Sequence, residues 1–150
     1  MSTENQIHLK GDFNREEKVA AAAISPGHLV ELTSADKVQK HSTEGGESSL
    51  WFAAEDALQG HGLDDDYSAD DLVSINNEYV GSEVQAFLKA GENVSIGDKL
   101  ISAGDGTLIA DGSENSATTI KQYIAVAREA EDLTGSGAVD TLIRVELLAS

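Results

Sequence analysis

Residues 29–41 read Leu-Val-Glu-Leu-Thr-Ser-Ala-Asp-Lys-Val-Gln-Lys-His. Two short runs that mix apolar and polar side chains lie on either side of Ser34, Ala35 and Asp36, a composition typical of a turn. The stretch therefore predicts a β-hairpin. Residues 94–110 repeat the arrangement around Ser-Ala-Gly-Asp-Gly, so a second hairpin is expected there.

The segments that lead into the two hairpins also match each other. Ser25 and Gly27 precede the first hairpin, and Ser95 and Gly97 stand at the equivalent positions of the second. Since only these two residue types are identical, the match predicts two similar hairpins in one small β domain and supports a duplication only weakly.

Further short strands are predicted along the chain, separated by polar loops that contain glycine. They cover residues 50–54, 72–75, 83–88, 120–130 and 142–148. The Ala, Lys, Gln, Arg and Glu content of residues 120–130 also favours a helix, but Tyr-Ile-Ala-Val-Ala at residues 123–127 fits a buried strand, so a strand is predicted there. In the last strand, alternation places Ile143, Val145 and Leu147 on the inward face. Short strands at this spacing indicate a mainly β barrel or sandwich.

Two stretches depart from the strand pattern. The alanines of residues 20–23 predict the start of a helix, which Pro26 and Gly27 would stop within a turn or two. Residues 59–71 combine glycines with a run of aspartates and indicate a surface excursion, with the aspartates on a solvated acidic face.

The composition restricts the class of protein. A chain of 150 residues has the length of one domain, and the absence of cysteine excludes disulfides, a thiol nucleophile and cysteine-ligated metals. Ten Lys and Arg against 27 Asp and Glu give a net charge of −17, which repels nucleic acid and anionic membranes. With no membrane-length apolar run and no signal-peptide pattern, we expect a soluble protein that stays where it is made.

Residues 1–18 differ from the remainder in charge. They carry three bases and four acids, a net charge of −1, which leaves −16 for the rest of the chain. A segment this polar does not bury enough surface to offset its ordering entropy, so we expect an extended N-terminal arm outside the core. The predicted division is an arm at residues 1–18 and a single β-rich domain at residues 19–150.

The chain contains no recognisable catalytic constellation. Its four histidines fall in different predicted segments, without metal-ligand spacing, and no Gly-x-Ser-x-Gly elbow is present. A calcium loop that began at Asp64 would need Gly in place of Ala69 and Glu in place of Ile75. We therefore expect no enzyme, and no catalytic, cofactor-binding or metal-ligating residue is nominated.

Lys37 is the strongest candidate for modification chemistry. The Asp36-Lys37 pair lies at the predicted hairpin tip and resembles the site at which lipoyl carrier domains take their cofactor. The alternative function is therefore a lipoyl-type carrier domain modified on Lys37. A plain turn lysine explains the same residues, since the similar phrase at residues 94–100 comes too late in the chain for the two halves of a carrier domain.

Taken together, the phrases of residues 20–148 resemble the small capsid cement, or head decoration, proteins of tailed bacteriophages. The phrases are residues 24–32 (Ile-Ser-Pro-Gly-His-Leu-Val-Glu-Leu), 37–41 (Lys-Val-Gln-Lys-His), 52–56 (Phe-Ala-Ala-Glu-Asp), 59–67 (Gln-Gly-His-Gly-Leu-Asp-Asp-Asp-Tyr), 91–100 (Gly-Glu-Asn-Val-Ser-Ile-Gly-Asp-Lys-Leu), 103–108 (Ala-Gly-Asp-Gly-Thr-Leu), 125–130 (Ala-Val-Ala-Arg-Glu-Ala) and 143–147 (Ile-Arg-Val-Glu-Leu). These are structural phrases, so no functional residue is carried over from the family.

The resemblance implies a β-tulip-like barrel and a non-enzymatic role without a cofactor. It implies a virion protein, synthesised in the cytoplasm of the bacterial host, that binds the outer surface of the expanded capsid and reinforces capsomer junctions. The implied partners are the major capsid protein and two further copies of the chain in a homotrimer, with no direct nucleic acid and no membrane. As a hypothesis, Ile7, Leu9 and Phe13 anchor the N-terminal arm on the capsid by adding a strand to the edge of a capsid sheet. The alternative is a disordered tail or a segment packed on its own domain.

Overall fold

The computed structural model describes residues 5–111 and 121–148, and the regular secondary structure of these residues is almost entirely β. One turn of 3₁₀ helix, Ala57–Gln59, interrupts the strands. The strands are β1 (His8–Lys10), β2 (Phe13–Val19), β3 (Val30–Leu32), β4 (Val38–Lys40), β5 (Trp51–Ala53), β6 (Leu72–Glu78), β7 (Glu83–Leu88), β8 (Asn93–Val94), β9 (Lys99–Ser102), β10 (Leu108–Ala110), β11 (Ala125–Ala127), β12 (Glu131–Asp132) and β13 (Thr141–Leu147).

Five strands close into a small barrel in the order β7-β10-β9-β11-β13. The barrel closes where β13 pairs antiparallel with β7, from Thr141 opposite Leu88 to Glu146 opposite Glu83. The pairing of β10 with β7 is parallel and the other barrel pairings are antiparallel. The mainly β fold and the β-barrel that the sequence predicted are confirmed.

Alternating apolar side chains fill the barrel. On β13 the inward positions are those predicted from the alternation, and on β7 Val84, Ala86 and Leu88 share the inward face. The core contains a single buried phenylalanine, Phe52, among aliphatic side chains, which suits a barrel of only five strands. Its other main members are Ile7, Leu29, Val94, Leu100, Leu108, Ile124, Ala125, Ala127, Ile143, Val145 and Leu147.

A second, smaller core lies between a three-stranded sheet and a hairpin. The sheet has the order β2-β6-β5, and the hairpin joins β3 to β4 as residues 29–41 predict. Neighbouring residues of β5 serve the two cores, because Phe52 packs in the barrel core and Ala53 in the second core. Ala20, Ile24, Val30, Val38, Tyr67, Val73 and Ile75 complete the second core.

The helix start predicted at residues 20–23 is wrong. Ala20 is buried and forms an isolated parallel bridge with Val38, and its backbone N–H donates to the carbonyl oxygen of Asp71 at 2.8 Å. The backbone N–H of Ala21 donates to the carbonyl oxygen of Val38, also at 2.8 Å. Tertiary pairing thus overrides the helix propensity of a short alanine run.

The expectation that residues 1–18 lie outside the core is also wrong over the part of this segment that the structure describes. β1 pairs with β7, β2 pairs with β6 along seven residues, and Ile7 lies in the barrel core. The segment is extended, but it is packed on its own domain. Pairing with β6 and β7 offsets the entropy that the N-terminal segment loses on ordering, which its polar side chains alone could not offset.

The sequence match ahead of the two hairpins corresponds to one turn geometry used twice. Residues 25–28 and 95–98 each form a four-residue turn, in which the backbone N–H of the fourth residue donates to the carbonyl oxygen of the first at 3.1 Å. The side chain of the fourth residue accepts a hydrogen bond from the backbone N–H of the first. The third residue of each turn is a glycine with positive φ, as a type II turn requires. The accepting atoms are His28 Nδ1 at 3.0 Å from Ser25 N and Asp98 Oδ2 at 2.9 Å from Ser95 N.

Substitution of Gly11 tests the packing of the N-terminal strands. Gly11 and Gly97 share a φ of 96°, but a Cβ on Gly11 would lie 2.9 Å from Ser82 Cα, whereas a Cβ on Gly97 has no neighbour within 4 Å. We expect Gly97→Ala to lower the free energy of unfolding by about 1 kcal/mol, from left-handed strain alone. We expect Gly11→Ala to combine the same strain with the clash against Ser82 and to lower the free energy of unfolding by about 3 kcal/mol in total. Equal losses in urea denaturation would contradict the packing of this turn against Ser82.

Candidate interaction surface

The N-terminal strands occupy two sheet edges of the domain. β1 takes the end of the β7 edge that β10 leaves open, with His8 opposite Val84 and Lys10 opposite Glu83. β2 is the outer strand of the three-stranded sheet. Side chains of both strands are therefore placed by backbone ladders on β7 and β6, and any contact they make with a partner is made from a fixed position.

Three polar side chains of the domain hold the start of this segment. The backbone N–H of Ile7 donates to Glu55 Oε2 at 3.0 Å. Gln85 is buried, and its backbone N–H donates to the carbonyl oxygen of Ile7 at 2.8 Å, while its side-chain Nε2 donates to that of Gln6 at 2.8 Å. Buried polar groups of this kind are stable only with their partners in place, so they fix the segment's register.

The third of these side chains belongs to Glu78, the last residue of β6. The Glu78 side chain is 0% exposed, and its Oε1 lies 2.6 Å from Nδ1 of His8. His8 Nε2 donates to the carbonyl oxygen of Gly11 at 3.0 Å, so one proton lies between Nδ1 and the carboxyl group. Burial raises the pKa of Glu78 above its ordinary value, and the hydrogen bond from His8 offsets part of that rise.

The three residues nominated as capsid contacts lie in different environments. Ile7 is 0% exposed and belongs to the protein's own core. Leu9 and Phe13 are half-buried. The Phe13 ring packs against the His8 ring, with 4.4 Å between the two ring centroids. The Arg15 guanidinium lies over the Phe13 ring, 5.9 Å from the ring centroid. Contact of these residues with a capsid stays a prediction, and Leu9 and Phe13 are the two within reach of a partner.

The aspartates of residues 64–71 are exposed. Several accept hydrogen bonds within the loop, as Asp65 does from Gly62 N at 2.7 Å and Asp71 does from Ser68 N at 2.8 Å. Among residues 5–111 and 121–148, no group of three or more His, Asp or Glu side chains is arranged to hold a metal ion.

Two of the four histidines have structural roles inside the domain. His28 Nδ1 accepts the turn hydrogen bond of Ser25, and its ring stacks on Phe87 at 4.7 Å between centroids. Burial, assisted by the positive charge of Lys40, lowers the pKa of His28 from 6.5 to about 4. His41 is buried, donates from Nε2 to the carbonyl oxygen of Glu47 at 2.8 Å and lies 2.6 Å from Ser102 Oγ through Nδ1.

Lys37 lies at the end of the β3–β4 hairpin, as the carrier alternative requires. Its side chain is 40% exposed, and its Nζ donates to Asp70 Oδ1 at 3.0 Å. The neighbouring Asp36 has a φ of 59° and accepts a bond from Lys18 Nζ at 2.7 Å. The amine of Lys37 thus forms a surface ion pair, and its modification as in a carrier domain stays a prediction.

A surface pocket lies between β3 and the loop of residues 43–49. It has a volume of about 210 Å³, and Trp51, Glu31 and Glu47 contribute to its lining. Sequence reasoning predicted Trp51 as part of a buried strand, but its side chain is half-buried at the pocket while Phe52 and Ala53 are buried. The chain's single tryptophan beside an acidic loop was the available signal for this site.

In the described part of the chain, no helix has the length and apolar character needed to cross a membrane.

Comparison of the fold with solved structures gives a match over nearly the whole chain. One matching structure is the crystal structure of the head fiber gp8.5 N base in bacteriophage phi29, with a TM-score of 0.57 and 15% sequence identity. It covers 91% of this chain and 94% of that one. No protein-family model and no curated protein matches the sequence. At this identity the comparison shows a shared fold.

Truncation of Ile7 tests whether the N-terminal segment belongs to the core. We expect Ile7→Ala to lower the free energy of unfolding by about 3 kcal/mol, since it leaves a cavity in the barrel core. Leu9→Ala, at the half-buried position two residues further along, should lower the free energy of unfolding by about 1 kcal/mol. Chemical denaturation of both variants checks the difference, and near-zero costs for both would mean that the segment is not packed on the barrel.

The lowered pKa of His28 predicts a loss of stability in acid. Below pH 6.5 the unfolded chain binds a proton at this residue, whereas the folded chain does so only near pH 4, so stability falls as the pH falls through that window. Between pH 7 and 4.5 the wild type should lose about 2 kcal/mol more than His28→Asn, whose amide can still accept from Ser25. Denaturation curves at both pH values measure this, with His61→Asn as the exposed control. Equal losses in wild type and His28→Asn would refute the assignment.

Proposed function

We propose that this chain is a structural protein attached to a phage head. The observation that carries the proposal is the fold shared with the phi29 head fiber base over nearly the full length of both chains. The sequence phrases that resemble head decoration proteins support the same assignment independently of the fold. The role proposed is non-enzymatic.

The finer proposal is a cement role on the outside of the head. The chain binds the outer surface of the expanded capsid as a homotrimer at local threefold positions, and it stabilises capsomer junctions through contacts with the major capsid protein. A net charge of −17 supports an outer location, because a surface this acidic does not compete for packaged DNA.

The N-terminal strands provide the contact surface in this proposal. Within the described residues, β6 is the strand that pairs with β2, and the opposite edge of β2 can extend a sheet onto a capsid strand. Phe13 on β2 and Leu9 on β1 are the half-buried apolar side chains that the N-terminal strands supply to the contact. Ile7 supports the contact from the core by holding β1 on the barrel.

The fold match favours a second candidate, in which the chain is the base of an appendage on the head. Both candidates place the chain on the head, but they differ in what binding does to the shell. A cement raises the temperature at which capsids open, whereas an appendage base leaves that temperature unchanged. Heating capsids with and without bound protein therefore separates the two.

Co-sedimentation with expanded, undecorated capsids tests the proposal. We expect saturable binding at a copy number that matches the local threefold positions. The double variant Leu9→Ala/Phe13→Ala should bind about tenfold more weakly, which corresponds to about 1.4 kcal/mol.

The matched control is Ile96→Ala/Val139→Ala, which removes two apolar side chains that are 66% and 69% exposed elsewhere on the domain. It should bind like the wild type. If the folded wild type does not bind at any salt concentration, the head-attachment proposal fails. If both double variants bind like the wild type, the N-terminal strands are not the contact.

A further inference from the structure

The pocket beside Trp51 has two acidic residues and one histidine in its lining. Glu31 on β3 and Glu47 on the loop are the acidic residues, the histidine is the buried His41, and neither lysine nor arginine contributes to the lining. Val30, Leu32 and Trp51 supply the apolar part of the wall. A pocket of this composition in a chain of net charge −17 attracts a cation and repels an anion.

The acidic side of the pocket is held in place before any ligand arrives. Glu31 Oε1 accepts from the backbone N–H of Ser42 at 2.6 Å and lies 4.0 Å from Nε2 of the buried His41. The imidazole of His41 in turn binds the carbonyl oxygen of Glu47, as described above, so strand and loop are joined beneath the pocket. Such preorganisation reduces the entropy lost on binding.

The loop is also fixed from its other side. The side-chain amide of Gln122 forms a pair of hydrogen bonds with the backbone of Ser48: Oε1 accepts from the N–H at 2.8 Å and Nε2 donates to the carbonyl oxygen at 3.0 Å. The backbone N–H of Gln122 donates to Gly45 at 3.1 Å. The wall that carries Glu47 is therefore a bonded part of the domain.

The size and shape of the pocket select the ligand class. Its volume of about 210 Å³ is below the range of pockets for drug-sized molecules and fits the end of one long side chain. A guanidinium group is planar, stacks on an indole ring and donates two parallel hydrogen bonds to a carboxylate. An ammonium group can use the charge but not the stacking or the paired donors.

We propose that the pocket formed by Glu31, Glu47 and Trp51 binds an arginine side chain of the head protein to which this chain attaches. The inference rests on the proposed function for the identity of the partner. The pocket's own charge and geometry determine the chemistry of the ligand.

The chain's single tryptophan provides a direct assay, since Trp51 lies in the pocket. Blocked arginine (N-acetyl-arginine amide) should give a saturable change in tryptophan emission, and N-acetyl-citrulline amide, its neutral isostere, should give none. Glu47→Gln should weaken the arginine titration about fivefold, as expected for one partly exposed ion pair. Glu44→Gln, which removes the same charge from an exposed position outside the lining, is the matched control and should change it less than twofold.

Capsid binding by the same variants tests the partner. We expect Glu47→Gln and Glu31→Gln to weaken co-sedimentation with capsids, and Glu44→Gln to leave it unchanged. If the wild type binds capsids but arginine does not change the emission and the pocket variants bind normally, the pocket inference is overturned while head attachment stands. If the wild type binds blocked arginine but does not bind capsids, the head protein is not the source of the arginine. Head attachment then fails as well.

Discussion

The barrel and the N-terminal segment both depend on one strand, β7. Its first edge pairs along its whole length with β13 and closes the barrel, and its second edge is divided between β1 near Val84 and β10 at Leu88. Most residues of the strand are buried. The polar Gln85 is among them, and its side chain holds the backbone of the N-terminal segment. The apolar residues of β7 pack in the barrel core. Gln85 fixes the position along β7 at which the N-terminal segment pairs with this strand.

This arrangement constrains how the protein can bind a partner. Releasing the N-terminal segment would leave Gln85, Glu78 and Glu55 without the partners described above and would remove Ile7 from the core. Gln85 and Glu78 are buried, and a buried polar group that loses its partner costs about 1–3 kcal/mol. In the proposed function, a partner meets preformed surfaces, namely the outer side of β2 and the pocket beside Trp51. These two surfaces give the head-attachment proposal definite residues to test.

The sequence predicted the features that depend on local pattern. The hairpins, β7 and the inward face of β13 follow from alternation and turn residues, and the structure has them at those positions. β2 was missed because Asn14, Arg15, Glu16 and Glu17 are polar on both faces of the strand. The side-chain hydrogen bond of Arg15 goes to Ser74, 59 positions later in the chain. The pocket was missed for the same reason, since Glu31, Glu47 and Trp51 come together only through the tertiary fold.

An electron cryomicroscopy map of the phage head with this protein bound would test head attachment and its contacts together. We expect the five-stranded barrel on the outer surface of the shell, with β1 and β2 still paired to β7 and β6 and with an arginine of the head protein beside Trp51. A head without the domain on its outer surface would contradict head attachment. A bound domain whose N-terminal strands have left β7 and β6 would contradict binding through preformed surfaces.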